Sequence, residues 1–483
     1  MSSDTRASTG IEGFDAVLRG GLVPERSYML RGGPGTGKTI AGWHFLTAGT
    51  DAGESTLFVN FEEPTERIRQ NARSVGFDLS DVTFLDLTPT ADTFTEERGY
   101  SIFEADEVEA SDVSRQIVDA VDRVEPDRAF VDPITQLRNV LRDDAQFRKE
   151  TASFLRYLTD QGVTTLFTTQ PSYEGVVDDL EFLCDGSFAL NHEQKGRTLT
   201  VNKYRGSGFQ SGSHTVRIDE NGVSVFPKLV PTSHQRTFTE ETVSSGVPAL
   251  DDLLHGGIER GSITVISGAS GVGKTTTGTH FASEAASRGE RSVIYSFEED
   301  LATLVHRSEA IGLPVNEMRE RGTLGVEEVE PLEISADEFA AMVREEVEER
   351  GARTVMIDGI SGYRMSIRGA SDDLLRELHA LCRYLRNMGV TTILLDDVGT
   401  VSGDFEPTSD RISYLADNIL FLRYLEMNGE LRKATGVLKK RASDFERTLR
   451  EFSITENGIV LGEPLRNLRG VLTGTPELRD DSE

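Results

Sequence analysis

The sequence predicts an α/β fold of two tandem domains, each built on a mostly parallel sheet flanked by helices. Three observations support this prediction. A glycine-rich loop that matches G-x-x-x-x-G-K-[ST] occurs twice, within residues 31–39 and 267–276. Many matched residues of the two halves are 236 positions apart, as Lys38 and Lys274 are. Short apolar runs alternate with amphipathic stretches in each half, which is typical of parallel strands joined by helical crossovers.

The repeat has the length of a whole domain rather than of a solenoid unit. A chain of 483 residues accommodates two domains of about 235 residues each, and we place them at 1–235 and 236–483. The polar, proline-bearing segment 226–245 marks the junction. The offset is 236 from Glu62 to Glu298 but 226 from Asp132 to Asp358, which predicts a ten-residue insertion in the first half between Glu62 and Asp132, in the polar stretch 88–110.

The predicted elements follow the same order in both halves. Helices are expected after each glycine-rich loop, at 64–78, at about 143–161 and at 371–388, where leucines form a stripe. Each half closes with hairpin-like strands, at 184–206 and 417–442. Apolar, β-branched runs predict the remaining strands at 27–33, 56–63, 82–87, 128–135 and 163–170, and at 262–269, 292–299, 354–361 and 390–397.

The composition is that of a chain with packed cores. Apolar residues make up 37% of it, and no apolar run approaches the roughly 18 residues of a membrane span. The polar N-terminal segment lacks the apolar core of a signal peptide. Cys184 and Cys382 are too few for a disulfide framework, which favours a reducing, cytoplasmic location. The eight histidines have no metal-ligand spacing, so no transition metal is expected.

The net charge of −30 bears on both environment and partners. The acidic residues are spread along both halves, and lysine is sparse while arginine is common. We interpret this as adaptation to high salt, in which self-repulsion between surface charges is screened. DNA-binding proteins usually carry a basic face, so the charge argues against DNA without deciding the question.

The two glycine-rich loops predict two sites for a nucleoside triphosphate. Glycines let backbone N–H groups converge on a phosphate, the lysine brings a mobile charge to the terminal phosphates, and the next threonine reaches Mg²⁺. ATP and Mg²⁺ are therefore the expected cofactors. The expected contacts are Gly32, Gly33, Gly35, Thr36, Gly37, Lys38 and Thr39 in the first half, and Gly268, Ser270, Gly271, Val272, Gly273, Lys274, Thr275 and Thr276 in the second.

Acidic residues follow two predicted strands in each half. Asp132 and Asp358 end apolar strands and are expected to act on the magnesium side, together with the hydroxyls of Thr39 and Thr275. The alternative is an aspartate that only starts a turn. The pairs Glu62 and Glu63, and Glu298 and Glu299, follow the preceding strand, where a carboxylate can order or deprotonate a nucleophile. A solvated acidic turn is the alternative for these catalytic candidates.

A lysine and an arginine two residues apart recur near the end of each half. They are Lys203 with Arg205, and Lys439 with Arg441. Residues two apart on a strand point the same way, so each pair can reach one anion. We expect them to contact the terminal phosphate of ATP from a neighbouring subunit. A basic edge that only balances the acidic surface is the alternative.

These motifs, together with the entry sequences STGIEGFDAVLRGGL and SSGVPALDDLLHGGI, resemble the KaiC family over nearly the whole chain. The resemblance implies two RecA-like domains and a double-ring homohexamer with ATP between adjacent subunits. One subunit would supply the glycine-rich loop, the glutamates and the aspartate, and its neighbour the Lys-x-Arg edge. It also implies an N-terminal ring that is mainly an ATPase and a C-terminal ring that is an autokinase and autophosphatase.

The family's phosphorylated Ser-Thr pair aligns with Ser413 and Tyr414. Serine is kept and threonine is not, so the resemblance implies one phosphosite, Ser413. The alternative is a serine that is simply polar before a strand. The equivalent residues of the first half are Glu181 and Phe182, so a hydroxyl occurs only in the half expected to be the kinase.

Three functions remain open from the sequence. The first is an ATPase with autokinase activity in the second half, acting in signal transduction or timing. The second is a RecA-class DNA-dependent ATPase, which the acidic stretch 403–411 disfavours. The third is a signalling scaffold whose bound ATP is read by a regulatory protein partner. The expected partners are further copies of this chain in a homohexamer, with a regulatory protein as a further candidate; DNA is disfavoured and no membrane is expected.

Overall fold

The computed structural model describes residues 6–88, 105–140, 143–170, 176–193, 196–231, 241–330, 334–366, 371–398, 408–427, 429–466, 468–469 and 477–478. The chain divides into two compact units, Met1–Lys228 and Leu229–Glu483. The predicted boundary between 235 and 236 lies outside the described residues. In the part of the chain described, no helix is long and apolar enough to cross a membrane.

The first unit is a nine-stranded sheet in the order β3-β2-β4-β5-β1-β6-β7-β8-β9. Strands β1 to β6 are parallel, and β7 to β9 extend the sheet as antiparallel hairpins. The elements are α1 (Glu12–Val17), β1 (Ser27–Gly32), α2 (Lys38–Asp51), β2 (Thr56–Asn60), α3 (Thr65–Ser74), β3 (Thr83–Asp86), α4 (Ala105–Val124), β4 (Arg128–Asp132), a 3-10 helix (Ile134–Val140), α5 (Asp144–Asp160), β5 (Thr164–Thr169), α6 (Val176–Leu183), β6 (Gly186–Glu193), β7 (Gly196–Tyr204), β8 (Ser213–Asp219) and β9 (Gly222–Phe226).

The second unit repeats this sheet in the order β14-β13-β15-β16-β12-β17-β18-β19-β20. Two short two-stranded sheets, β10 with β11 and β21 with β22, accompany it. The elements are β10 (Thr242–Val243), α7 (Pro248–Leu253), β11 (Ile258–Glu259), β12 (Ile263–Gly268), α8 (Lys274–Ser287), β13 (Ser292–Ser296), α9 (Leu301–Ala310), α10 (Val315–Glu320), β14 (Leu324–Glu328), α11 (Ala336–Glu348), β15 (Thr354–Asp358), α12 (Ile360–Ser366), α13 (Ser371–Asn387), β16 (Thr391–Asp397), a 3-10 helix (Ser409–Tyr414), β17 (Asn418–Met427), β18 (Glu430–Lys440), β19 (Arg450–Thr455), β20 (Gly458–Pro464), β21 (Leu468–Arg469) and β22 (Glu477–Leu478).

These two sheets confirm the predicted fold class. Successive residues of the central strands enter cores on opposite faces of the sheet, which explains why those strands are apolar throughout rather than alternating. In the first unit, Phe58 and Phe130 join the core on one face, while Leu57 and Val131 join the core on the other. The predicted helix at 143–161 is α5, whose N-cap Asp143 accepts a hydrogen bond from the backbone N–H of Gln146.

The difference in length between the halves has two components. Thr83 and Gly325 occupy the same register position in the third strand and are offset by 242. The second half is therefore six residues longer before this strand, where α10 lies. Arg128 and Thr354 occupy the same position in the next strand and are offset by 226. The first half is thus sixteen residues longer between these strands, partly outside the described residues, and the predicted ten-residue insertion is the net difference.

The helix after each phosphate loop approaches the sheet through a glycine, and the two halves differ in what the glycine faces. A Cβ at Gly42 would lie 2.0 Å from Cζ of Phe130, and one at the equivalent Gly278 would lie 2.8 Å from Sδ of Met356. The rigid ring of Phe130 has little freedom to move in a packed core, whereas the flexible side chain of Met356 can adopt another rotamer.

We therefore predict that Gly42→Ala destabilises the first unit by about 1–3 kcal/mol through overpacking. Gly278→Ala is the matched control and should cost clearly less. Thermal unfolding, with hydrogen exchange to locate the loosened helix, measures both. Equal losses from the two substitutions would contradict this account of the packing.

Candidate nucleotide-binding sites

Each glycine-rich loop connects the central strand of a sheet to the helix behind it. The first loop follows β1 and the second follows β12, and Lys38 and Lys274 are the first residues of α2 and α8. Gly37 and Gly273 precede them with φ values of 97° and 120°, which favour glycine. The helix N-terminus therefore presents its unpaired backbone N–H groups at the carboxyl edge of the sheet, as an anion site requires.

The space above the first loop fits a phosphate group. A Cβ added at Gly33 or Gly35 would meet nothing within 4 Å, so the backbone there is open to a ligand. Thr36 closes the loop internally, because its Oγ1 donates to the carbonyl of Gly33 at 2.9 Å. In the second loop Ser270 and Gly271 are exposed, while Val272 and Thr276 are buried and anchor the loop to the core.

The two loop lysines have different partners. Lys38 Nζ donates to the carbonyls of Gly32, at 2.7 Å, and Gly33, at 2.9 Å. Burial lowers the pKa of Lys38, and the charges of Asp132 and Glu62 oppose that shift. Lys274 Nζ donates to the carbonyl of Ala269 at 3.1 Å and also forms an ion pair with the carboxylate of Asp397.

A threonine–aspartate hydrogen bond links each loop to a strand end. Thr39 Oγ1 donates to Asp132 Oδ2 at 2.6 Å, and the second oxygen of Asp132 accepts from Thr168. Thr275 lies beside Asp358 in the second half, where its hydroxyl lowers the pKa of the carboxyl group. Burial raises the pKa of Asp132 and raises the pKa of Asp358 to about 6. The threonine hydroxyls act in the opposite direction and lower both pKa values. Hydroxyl and carboxylate oxygens are the ligands that Mg²⁺ prefers, so the residues fit this metal.

The glutamate pair of the first half separates into two environments. Glu62 Oε1 accepts hydrogen bonds from the side-chain amides of Gln136, at 2.8 Å, and Gln170, at 2.7 Å. Glu63 turns to α3, where it accepts from Asn71 at 3.1 Å and lies 3.9 Å from Arg67. Glu62 is therefore the member of the pair that faces the phosphate loop.

The second half divides its glutamates in the same way. Glu299 pairs with Arg307 on α9 at 2.8 Å, the position that Asn71 occupies in the first half. Glu298 lies beside Asp397, and burial together with the nearby charges of Asp397 and Asp358 raises its pKa to about 7. A carboxyl group with a pKa near neutrality is suited to accept and release protons at physiological pH.

One position near these glutamates differs between the halves and was not identified from the sequence. Gln170 follows β5, and Asp397 occupies the same register position at the end of β16, beside the central strand. Gln170 donates to Glu62, whereas Asp397 contacts both Glu298 and Lys274. A neutral amide thus stands in the first site where a carboxylate stands in the second.

A second pair missed by the sequence analysis lies on the hairpin beside each loop. Arg197 Nε donates to the carbonyl of Gly35 at 3.2 Å, and Lys433 Nζ donates to the carbonyl of Gly271 at 3.0 Å. Both cations are therefore held against the phosphate loop of their own half. The sequence did offer a signal for this pair, because Arg197 and Lys433 are 236 positions apart and both are basic.

The Lys-x-Arg pairs lie at the opposite edge of the sheet from the phosphate loop. β17 is parallel to β12, and its first residue, Asn418, pairs with Thr264 near the start of β12. β18 is antiparallel to β17, so its last residue, Lys440, pairs with Asn418 at this same edge. Lys439 and Arg441 therefore lie beside the start of β12, and the loop follows its other end. The intervening strand is about 16 Å long.

The first half repeats this arrangement. Gly186 at the start of β6 pairs with Tyr28 of β1 and with Tyr204 at the end of β7. Lys203 and Arg205 flank Tyr204 and so lie at the same amino edge. Neither pair is near the phosphate loop of its own half.

Within the chain, the two lysines of these pairs bind backbone carbonyls. Lys203 Nζ donates to the carbonyl of Glu181 at 2.7 Å, and Lys439 Nζ donates to that of Ser413 at 2.8 Å. Arg205 is exposed, and Arg441 is exposed with a 3.4 Å contact to Asp417. The lysines therefore fix the loop before the strand. Arg441 also donates to the carbonyl of Tyr414 at 3.2 Å, so it contacts the same loop while remaining exposed.

The same contacts establish which residues are equivalent before these strands. Because Lys203 and Lys439 bind the carbonyls of Glu181 and Ser413, these two residues occupy matching places. Ser413 is partly buried, and the next residue in each half is an exposed aromatic. The exposed fractions are 75% for Phe182 and 50% for Tyr414.

The strand order, the phosphate loops and the threonine–aspartate bonds define both halves as RecA-like P-loop ATPase domains. A family model described as the KaiC ATPase matches residues 7–230 and again 243–466. The chain therefore belongs to the KaiC family and is an ATP-binding protein of that family.

Curated relatives align with this chain along nearly its whole length. It is 29% identical to the circadian clock protein KaiC3 of Synechocystis sp., with 99% of this chain and 96% of the relative aligned. It is also 29% identical to the circadian clock oscillator protein KaiC of Acaryochloris marina, over 98% and 91% of the two chains. The oscillator protein KaiC of Thermosynechococcus vestitus is 30% identical over 97% and 91%.

The division of the glutamates yields a prediction for the first site. With the second site silenced by Lys274→Ala, Glu62→Gln should lower ATP turnover by about 10²- to 10⁴-fold, the usual effect of losing a positioned base. Glu63→Gln, the matched control, should lower it far less, because Glu63 contacts α3. Steady-state phosphate release measures both. Equal losses from the two variants would contradict the assignment.

Proposed function

We propose that both halves bind Mg²⁺-ATP and hydrolyse it, and that the second half also transfers a phosphoryl group to Ser413 of a neighbouring copy. The proposal rests chiefly on one observation: the same lysine, threonine, aspartate and glutamate converge at the carboxyl edge of each sheet. The family membership of the chain supports it.

In the first half, the proposed reaction is attack of water on the terminal phosphorus of ATP, with cleavage of the bond from that phosphorus to the bridging oxygen and release of ADP and phosphate. Glu62 orders the water and takes its proton, while Gln136 and Gln170 hold the carboxylate in place. Lys38 exchanges its carbonyl partners for phosphate oxygens. Mg²⁺, when bound beside Thr39 and Asp132, neutralises charge on the phosphates.

In the second half, the hydroxyl of Ser413 replaces water. A bond forms between Ser413 Oγ and the terminal phosphorus, the bond from that phosphorus to the bridging oxygen breaks, and ADP leaves. Glu298 takes the hydroxyl proton, for which a pKa of about 7 is suitable. Ser413 precedes β17 at the amino edge of its sheet, far from the phosphate loop of its own half, which supports transfer from a site on another copy.

The same geometry supports completion of each site by a neighbour. Arg205 and Arg441 lie far from the loops of their own halves, and both are exposed. A ring of identical subunits joined head to tail brings the amino edge of one sheet to the carboxyl edge of the next. Phe182 and Tyr414, exposed beside these arginines, are suitable anchors for such a contact. We propose a homohexamer in the cytoplasm.

The biological role proposed is timing or signal transduction, since the relatives are named as circadian clock proteins. A phosphate at Ser413 would add about −2 charge at the proposed subunit boundary. It would therefore alter the packing of the ring, and a regulatory protein partner could read that change.

The kinase proposal predicts the fate of label from γ-labelled ATP. Protein incubated with it should become labelled, and Ser413→Ala and Lys274→Ala should both abolish the label. Tyr414→Phe is the matched control and should retain it, because the phenol is not the acceptor. Phosphosite mapping by mass spectrometry identifies the residue. Unchanged labelling of Ser413→Ala would contradict the assignment of Ser413 as the acceptor. Absence of label from every protein tested, including the unsubstituted one, would contradict the proposed kinase activity.

A further inference from the structure

We propose that Asp397 sets the nucleotide affinity of the second site by competing with the phosphates of ATP for Lys274. The inference rests on the proposed function, since it assumes that this loop binds nucleotide. It assigns a role to a residue outside the phosphate-loop motif and the glutamate pair.

The competition follows from the contacts of the loop lysine. The carboxylate of Asp397 and the ammonium of Lys274 form an ion pair in which the side chains are 25% and 8% exposed. The ammonium must leave this partner to reach a phosphate, and the cost of breaking the pair is subtracted from binding. A phosphate that reaches Lys274 would also approach this carboxylate, which has the same sign of charge.

The first half contains the natural comparison. Gln170 occupies the register position of Asp397, and its amide donates to Glu62. Lys38 has only neutral carbonyls as its described hydrogen-bond acceptors there, at 2.7 and 2.9 Å. A neutral carbonyl is exchanged for a phosphate at lower cost than a carboxylate is. The first site is therefore expected to bind nucleotide more tightly than the second.

The contact of Asp397 with Glu298 extends the effect to the proposed base. The two carboxyl groups lie close together in the second site, whereas Glu62 accepts from two amides in the first. Asp397 thus contacts both the loop lysine and the proposed base. Nucleotide binding at the second site must separate the lysine from this cluster.

The test exchanges the two residues in the full-length chain. With the first site silenced by Lys38→Ala, binding of a fluorescent, non-hydrolysable ATP analogue with Mg²⁺ is titrated. Asp397→Gln and Asp397→Asn should tighten it by about tenfold, the size expected when one partly buried ion pair no longer has to be broken. Asp397→Glu, which keeps the charge, should not tighten it.

The reciprocal change keeps the inference testable if the Asp397 variants fold poorly. With the second site silenced by Lys274→Ala, Gln170→Asp should weaken binding by a similar factor. Gln170→Asn, its uncharged control, should weaken it less. Structural damage would weaken binding of the analogue rather than tighten it. Tighter binding by Asp397→Gln and Asp397→Asn would therefore distinguish competition for Lys274 from a general loss of packing.

The possible failures are distinguishable. If the Lys38→Ala protein binds no analogue at all, both the proposed function of the second site and this inference are overturned. If it binds, and Asp397→Gln and Asp397→Asn leave the affinity unchanged or lower, the inference is overturned and the proposed function stands.

Discussion

The architecture of each half depends on the hydrogen bond between a loop threonine and a strand-end aspartate. Thr39 donates to Asp132 at 2.6 Å, and Thr275 lies beside Asp358 in the corresponding place, where its hydroxyl lowers the pKa of that carboxyl group. This bond fixes the start of the helix to a neighbouring strand, so the loop, the lysine and the glutamates share one edge of the sheet. Buried carboxyl groups are costly unless they are hydrogen-bonded, and the threonines meet that requirement.

Around this shared frame, the halves have diverged in charge. The first site surrounds Glu62 with amides, while the second joins Glu298 to Asp397 and Asp397 to Lys274. At the amino edge, the first half has Glu181 where the second has Ser413. The duplicated scaffold therefore supports two electrostatic environments, which is consistent with hydrolysis in both halves and phosphoryl transfer in one.

Much of the fold could be predicted from sequence, because the loop motif, the constant offset and the apolar runs are local signals. They identified the loops and the acidic strand ends correctly in position. Asp397 carries no such signal, since only the order β15-β16-β12 brings the end of β16 beside the loop. The contacts of Lys203 and Lys439 with backbone carbonyls were likewise not predicted. Spacing along a strand indicates which side chains point the same way, but it does not indicate which backbone carbonyls lie nearby in the folded hairpin.

The central claim is that a neighbouring copy completes each site, and mixing two inactive variants tests it most directly. Both variants carry Glu298→Gln, which removes the proposed base of the second half. One also carries Glu62→Gln and lacks the proposed base of the first half, and the other carries Arg205→Ala and lacks the proposed arginine. Each variant alone should release little phosphate from ATP. Rings formed from both should contain boundaries with an intact Glu62 on one subunit and an intact Arg205 on the next. The account predicts that mixing restores turnover. Failure of the mixture to gain activity, or full activity of Arg205→Ala alone, would contradict it.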